Sequence, residues 1–226
     1  MKKLLHNLHA FFYVTFHWNI WLAVFIFWHE AKRGPRYRIN TIRPVGFRRL
    51  TILDGDITKS SPYEAVSYYV LENLLEQFRR FSSESCLTDL GCGKGRVLVA
   101  AAHYGFTRLV GVEFARELCL QAKYNLRNLR KRMPGLRSTI HCMNVLRYPI
   151  DAREKVFFLF NPFNAEILKQ FISRLNASVS RHPRTIWFIY ASPVNRQVLL
   201  DEGYQVMYHI RPGRRLAGMI LKKECA

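Results

Sequence analysis

From residue 63 onward, short and nearly unbroken apolar runs alternate with longer stretches whose apolar positions recur every three or four residues. The short runs, 87–90, 108–113, 138–143, 155–160 and 185–190, read as strands buried on both faces. Between them lie helical rhythms. Val97-Leu98-Val99-Ala100-Ala101-Ala102 opens one, residues 115–130 set Leu118, Ala122, Leu126 and Leu129 on one face, and 165–175 and 194–200 supply two more. Ahead of the first strand, Ser60-Ser61-Pro62-Tyr63-Glu64 predicts a helix start, with Ser61 as N-cap and Pro62 at the first helical position. That helix carries Tyr68, Leu71, Leu74, Leu75 and Phe78 inward. Two late strands, 204–210 and 216–221, flank the turn Arg-Pro-Gly-Arg-Arg. Strands alternating with helices predict an α/β domain with a mostly parallel sheet.

The N-terminus departs from this pattern. Between Lys3 and Glu30 there is no Lys, Arg, Asp or Glu, and the run from Phe11 to Trp28 reaches the length of a membrane span, roughly 18–20 residues. His17 and Asn19 near its middle oppose burial in lipid. Trp18, Trp21 and Trp28, flanked by bases, suit a helix at a membrane interface. The apolar run is too long for a signal peptide, and Ala-Lys-Arg-Gly is no small-residue cleavage site. Three regions are expected: a hydrophobic helix over 1–30, a basic connector over 31–60, and the α/β domain over 61–226. Gly34-Pro35, Arg43-Pro44 and Asp54-Gly55 mark turns in the connector. The heavier positive charge after the run places the domain on the cytoplasmic side of a membrane. The alternative is a helix that packs on the domain or on a partner subunit.

The chemistry-bearing stretch is Leu87-Thr88-Asp89-Leu90-Gly91-Cys92-Gly93-Lys94-Gly95-Arg96, a strand, a glycine-rich turn and a helix start. Glycines at alternate positions admit positive φ and close approach of a ligand, and the helix N-terminus then faces the crevice above the strand. No Gly-x-x-x-x-Gly-Lys-Ser/Thr can be read here, which excludes a P-loop. The dinucleotide fingerprint wants a third glycine where Arg96 stands. Asp89, just ahead of the loop, suits an ammonium group better than a pyrophosphate. A second acid, Glu113, ends the next strand at the distance where a carboxylate meets ribose hydroxyls. Asn144, after the third strand, has a side chain able to bond an adenine edge.

DLGCGKGR and GVEF resemble the glycine-rich motif and the ribose-binding acid of class I S-adenosylmethionine (SAM)-dependent methyltransferases. The resemblance covers roughly Tyr63 to Leu221. It implies a Rossmann-like seven-stranded sheet of order 3-2-1-4-5-7-6 with helices on both sides, and SAM as cofactor. It also implies that Asp89, Gly91, Gly93 and Gly95 hold the methionine end, Glu113 the ribose and Asn144 the adenine. A helix before the first strand borders the cofactor in this class, which brings Tyr63 and Glu64 to the methionine end; a simple helix cap is the alternative for both. An uncharacterised bacterial group with a hydrophobic N-terminal segment and a strand ending Asn-Pro-Phe is similar too.

The fourth strand ends in Asn161-Pro162-Phe163-Asn164, where a doubly wound sheet lines its ligand crevice. Asn161 is expected to orient the methyl acceptor and Phe163 to stack on it; the alternative for Asn161 is a cap on the following helix. The motif resembles the Asn/Asp-Pro-Pro-Tyr/Phe of amino-group methyltransferases, one proline short, and more loosely the Asn-rich turn of seven-strand lysine methyltransferases. A protein amino group is therefore the first acceptor expected, nucleic acid the second and a lipid or quinone-like molecule the third. A SAM-binding protein without catalysis is the rival from another class.

A formal net charge of +19 adds a polyanion as expected partner, either nucleic acid or an anionic membrane surface. The basic residues cluster at Lys32, Arg33, Arg36 and Arg38, at Arg43, Arg48 and Arg49, at Arg127, Arg130, Lys131 and Arg132, and at Arg211, Arg214 and Arg215. Five cysteines, at 86, 92, 119, 142 and 225, show no Cys-x-x-Cys spacing and are expected to be reduced thiols of a cytosolic protein. No metal site is expected, because the histidines have no ligand spacing with the cysteines.

Overall fold

The computed structural model describes residues 20–39, 41, 50–52, 63–210 and 216–225. The first element is helix α1 (Ile20–Tyr37), followed by α2 (Tyr68–Phe81), β1 (Cys86–Leu90), α3 (Arg96–His103), β2 (Arg108–Glu113), α4 (Arg116–Arg132) and β3 (Arg137–Cys142). A 3-10 turn (Val145–Arg147) leads to β4 (Val156–Leu159), α5 (Ala165–Arg181), β5 (Ile186–Ala191), α6 (Arg196–Asp201), β6 (Gln205–Ile210) and β7 (Gly218–Lys223). The seven strands form one sheet in the order β3-β2-β1-β4-β5-β7-β6. The first five strands pair in parallel, and β7 inserts antiparallel between β5 and β6. That is the expected methyltransferase order.

Burial explains why the apolar runs became strands. Every residue of β1, β4 and β5 is buried, because helices cover both faces of the sheet centre. One core packs α2, α3 and α4 onto one face around Leu71, Leu74, Leu98, Ala122 and Leu126. The other packs α5 and α6 onto the opposite face around Phe157, Phe171, Leu175, Phe188 and Leu199.

Three expectations are corrected. The helix before β1 does not begin at Pro62: Tyr63 to Ser67 are non-helical, and Ser67 caps it by accepting from the Tyr69 N–H at 3.3 Å. Gly34-Pro35 is no turn in a connector, since α1 runs across residue 30 and ends at Tyr37, with Arg38 in the left-handed conformation. Docking overrides the breaker signal there. Tyr37 is fully buried, stacks on Tyr68 at 4.8 Å and donates its hydroxyl to Glu72 at 2.6 Å, and burying such a side chain stabilises by about 1.5–3 kcal/mol. Third, Cys119 and Cys142 are not free thiols but a disulfide between α4 and β3. The parallel β2–β3 pair with its α4 crossover brings their Cα atoms to 5.9 Å, within bridging distance, and a search for Cys-x-x-Cys could not see that. The cysteines therefore no longer argue for a reducing compartment.

Among the described residues no helix is long and apolar enough to cross a membrane. Residues 1–19 of the apolar run, Ser61 and Pro62, Arg43, Arg48, Arg49, Asp54 and Gly55, and the turn 211–215 lie outside the described residues.

Candidate active site

The glycine turn leaves the C-terminal end of β1 and is pinned at once to β2: the Gly91 and Cys92 N–H groups both donate to the Val112 carbonyl, at 2.8 and 3.0 Å. Gly91, Gly93 and Gly95 all have positive φ, of 79°, 51° and 78°. Their missing side chains are also used. A Cβ on Gly91 would lie 2.3 Å from Pro162 Cβ, and one on Gly93 would lie 2.3 Å from the Tyr63 ring. The Asn161-Pro162-Phe163 turn and the segment ahead of α2 thus close onto the same loop. Gly95 is the N-cap of α3 and offers no side-chain cap, which leaves that helix N-terminus open.

Two acids flank the loop, as expected from their positions, and they differ in satisfaction. Glu113 accepts from the Gly93 N–H at 2.9 Å and from the Phe114 and Ala115 N–H groups at 3.0 Å each. An ionised carboxylate has about four acceptor positions, so this one retains roughly one for a further donor. Burial still outweighs these donors and raises its carboxyl above the ordinary range. Asp89 is buried too, and its Oδ2 has no hydrogen-bond partner among the described residues. Burial first, and the nearby Glu113 second, push its carboxyl well above the usual carboxylate range. A buried orphan acceptor of this kind costs about 1–3 kcal/mol when nothing pairs it.

Tyr63 lies across the loop, with Lys94 Nζ 4.7 Å from its ring centroid and its hydroxyl donating to the Thr41 carbonyl at 2.8 Å. Glu64, its neighbour, is exposed. Asn144 stands at the end of β3 as the cap of the 3-10 turn, and its Oδ1 accepts from the Leu146 N–H at 2.9 Å. Cys92 points beneath the loop into space that Gly111 leaves open, and burial raises its thiol well above the usual value. That environment is wrong for a nucleophile.

At the ends of β4 and β5 the arrangement is different. Asn161 (φ 45°) and Ser192 (φ 50°) are left-handed non-glycine residues, and each precedes a proline. The Asn161 Nδ2 donates to the Ser192 carbonyl, while its Oδ1 accepts from the Tyr190 hydroxyl at 2.8 Å and the Val194 N–H at 3.3 Å. The Ser192 carbonyl can only accept and the Val194 N–H can only donate, so the orientation of the amide is determined. Burial pushes the Tyr190 hydroxyl up to about 12, which keeps it a donor. Asn161 does not cap α5: Asn164 does, accepting from the Ile167 N–H at 3.0 Å. Phe163 is 9% exposed, packed in the core, with its carbonyl accepting from Asn195 Nδ2 at 3.4 Å.

No local pattern marks Arg96 and Glu30 as partners. Arg96, the first residue of α3, is 4% exposed; Nη1 reaches both Glu30 carboxylate oxygens at 2.9 Å, and Nε donates to Thr41 Oγ1 at 2.7 Å. Its guanidinium also covers the Tyr68 ring at 4.2 Å. The pair is separated by 66 residues, and no local pattern joins them. Ser192-Pro193 did carry a signal: it repeats the strand-polar-proline arrangement of Asn161-Pro162 one strand later.

No protein-family model matches the sequence, and no curated protein matches it. Solved structures do. A candidate RNA methyltransferase from Pyrococcus horikoshii is 15% identical, with a TM-score of 0.53 over 79% of this chain and 95% of that one. A candidate methyltransferase from Escherichia coli is 14% identical, with a TM-score of 0.51 over 83% and 99%. The bacterial CtHen1 methyltransferase domain is 17% identical, with a TM-score of 0.50 over 69% and 97%. The fold is that of the Rossmann-like methyltransferases. The sheet order, with β7 between β5 and β6, belongs to this shared architecture.

Proposed function

We propose that this chain is a SAM-dependent methyltransferase whose donor is held on the loop from Asp89 to Gly95. The observation that carries the reading is Asp89: a buried carboxyl oxygen without a partner among the described residues, beside a turn built of three left-handed glycines, suits a cationic ligand end. In this reading Asp89 takes the ammonium of the methionine moiety and Tyr63 covers it. Glu113 uses its remaining acceptor position for a ribose hydroxyl. Asn144 has Nδ2 and a second lone pair of Oδ1 left for the adenine edge. The cofactor supplies a methyl group on a sulfonium, which an acceptor lone pair displaces in line, so orientation rather than acid–base machinery supplies much of the rate.

For the acceptor we propose a protein amino group, lysine first, in the crevice bordered by Pro162 and Tyr63. Asn161 has both ends of its amide engaged, so its part is to hold Pro162 against Gly91 and shape the acceptor wall. Phe163 supports that wall from the core. The left-handed backbone at Asn161 and Ser192 supports this role, because such strain gathers at functional sites. The net charge of +19 favours nucleic acid as the second reading.

Incubation of the purified chain with methyl-labelled SAM and lysate fractions tests the assignment. Label in protein, released on hydrolysis as methyl-lysine, is the expected result. Label confined to nucleic acid or lipid overturns the acceptor. No label anywhere, with SAM bound, overturns catalysis and leaves a SAM-binding protein.

A further inference from the structure

Helix α1 has a direction that matters. Glu30 meets Arg96 at the start of α3, and the Tyr37 ring meets His103 at its end, 5.2 Å between centroids. Over 30–37, then, α1 runs parallel to α3. Helix α2 runs the same way: Tyr68 donates its N–H to Glu30 at 3.1 Å, while Arg79, near its other end, donates to the Tyr104 carbonyl just past α3. All three helices point their N-termini toward the edge of the sheet that carries the glycine loop. Residues 20–29 of α1 therefore extend toward and past that edge, a length of roughly 15 Å at 1.5 Å per residue.

Of its described side chains, two are held and two are exposed. Phe25 and His29 pack on Tyr69, at 4.9 and 5.1 Å between ring centroids. One turn apart, Val24 is 45% exposed and Trp28 53% exposed, and Lys32 continues the row with its Nζ 4.7 Å from the Trp28 ring centroid. Arg36, exposed one turn further, stacks on Tyr37 and Tyr104. An aliphatic residue and a tryptophan at the end of the uncharged run 4–29, and then bases beyond it, reproduce the depth profile of a bilayer interface: apolar inside, indole at the headgroups, cations outermost. The net charge of +19 complements anionic headgroups.

We infer that the Val24–Trp28–Lys32 row is a docking surface for an anionic phospholipid bilayer, and that it turns the glycine-loop edge toward the membrane. The methyl acceptor is then a group presented at headgroup depth, such as a lysine of a membrane-associated protein. The acceptor part rests on the methyltransferase reading; the docking part does not.

Flotation of the full chain with vesicles of phosphatidylcholine, alone or mixed with phosphatidylglycerol, tests docking without SAM. Binding is expected to the mixed vesicles only. The double substitution Val24→Glu/Trp28→Glu is expected to weaken it about tenfold or more, and Lys32→Glu/Arg36→Glu to weaken it severalfold. All four side chains are exposed, so both variants should stay folded, with a small loss of melting temperature for Lys32→Glu/Arg36→Glu from the Arg36 contacts with Tyr37 and Tyr104. A SAM-induced thermal shift retained by both variants keeps this test separate from the cofactor assignment. Unchanged vesicle binding by Val24→Glu/Trp28→Glu overturns the docking surface, as does equal binding to neutral vesicles; that result points instead to residues 1–19 or to another partner on this face. Hydrogen exchange then reads the orientation. Vesicles should protect 24–29 and 63–69 but not 103–107, and protection at 103–107 overturns the orientation.

Discussion

The turn after β1 and the turns after β4 and β5 lie side by side at the same sheet edge, yet they are built on opposite principles. The first uses glycine at each left-handed position and leaves an acid beside it with an orphan oxygen. The second puts Asn161 and Ser192 into left-handed conformations and holds them with hydrogen bonds from Tyr190 and Val194. One turn is relaxed in its backbone and leaves one acid oxygen beside it without a partner among the described residues; the other is strained in its backbone and satisfied in its polar groups. On this ground the turn after β1 is the one that awaits a ligand. An unpaired buried carboxyl is a cost that a ligand removes, whereas a closed hydrogen-bond network is a scaffold.

Substitution at each turn should separate these principles, and the largest effect belongs to Gly91. Gly91→Ala combines positive φ with a 2.3 Å approach to the rigid Pro162 ring, and should destabilise by about 3 kcal/mol or more in a urea titration. Asn161→Ala removes the amide bonds to Tyr190, Ser192 and Val194, leaves the Tyr190 hydroxyl without an acceptor and should cost about 2 kcal/mol, while SAM affinity changes little. A SAM affinity lost in step with stability would mean that this turn meets the cofactor directly. Gly93→Ala meets first the Tyr63 ring, and should cost about 1–2 kcal/mol. Tyr63→Ala removes the clash but also the Tyr63 packing and its bond to Thr41, so the double variant should lose less than the sum of the two single losses, the φ part remaining.

The smallest expected effect on stability has the opposite sign. Asp89→Asn should stabilise the ligand-free protein by about 1 kcal/mol, as removal of functional strain commonly does. Burial raises the Asp89 carboxyl, so the folded protein holds a proton that the unfolded chain releases. The stability linked to this group is present below the ordinary carboxylate range and is lost as pH rises through the raised folded value. The advantage of Asp89→Asn should accordingly grow on going from acid to neutral pH and vanish in acid. An advantage independent of pH would place the Asp89 charge elsewhere.

The contrast also explains what could be read along the chain. The sheet order and the positions of Asp89, Gly91, Gly93, Gly95 and Glu113 were legible, because a strand, a glycine turn and a helix are local and their constraints fall on neighbouring residues. The start of α2 was misplaced from Ser67 to Ser61, because both serines sit near a plausible first turn and only packing chooses between them. Helix α1 was cut at residue 30, since its last turn survives Gly34-Pro35 through the buried Tyr37. The Glu30–Arg96 pair, the Asn161–Ser192 bond and the Cys119–Cys142 bridge join residues 66, 31 and 23 positions apart. Contacts of that kind are made by the tertiary fold, and no periodicity announces them.

If Asp89 receives the cationic end of SAM, as proposed, binding should displace a proton from it. Titration calorimetry in buffers of different ionisation enthalpy, at mildly acidic to neutral pH, reads the number of protons lost on binding. A cation placed beside the raised Asp89 carboxyl lowers it again, so the wild-type chain should release protons and Asp89→Asn should bind far more weakly and release none. Binding of SAM by the wild type without proton release, or equally tight binding by Asp89→Asn, would overturn this role of Asp89.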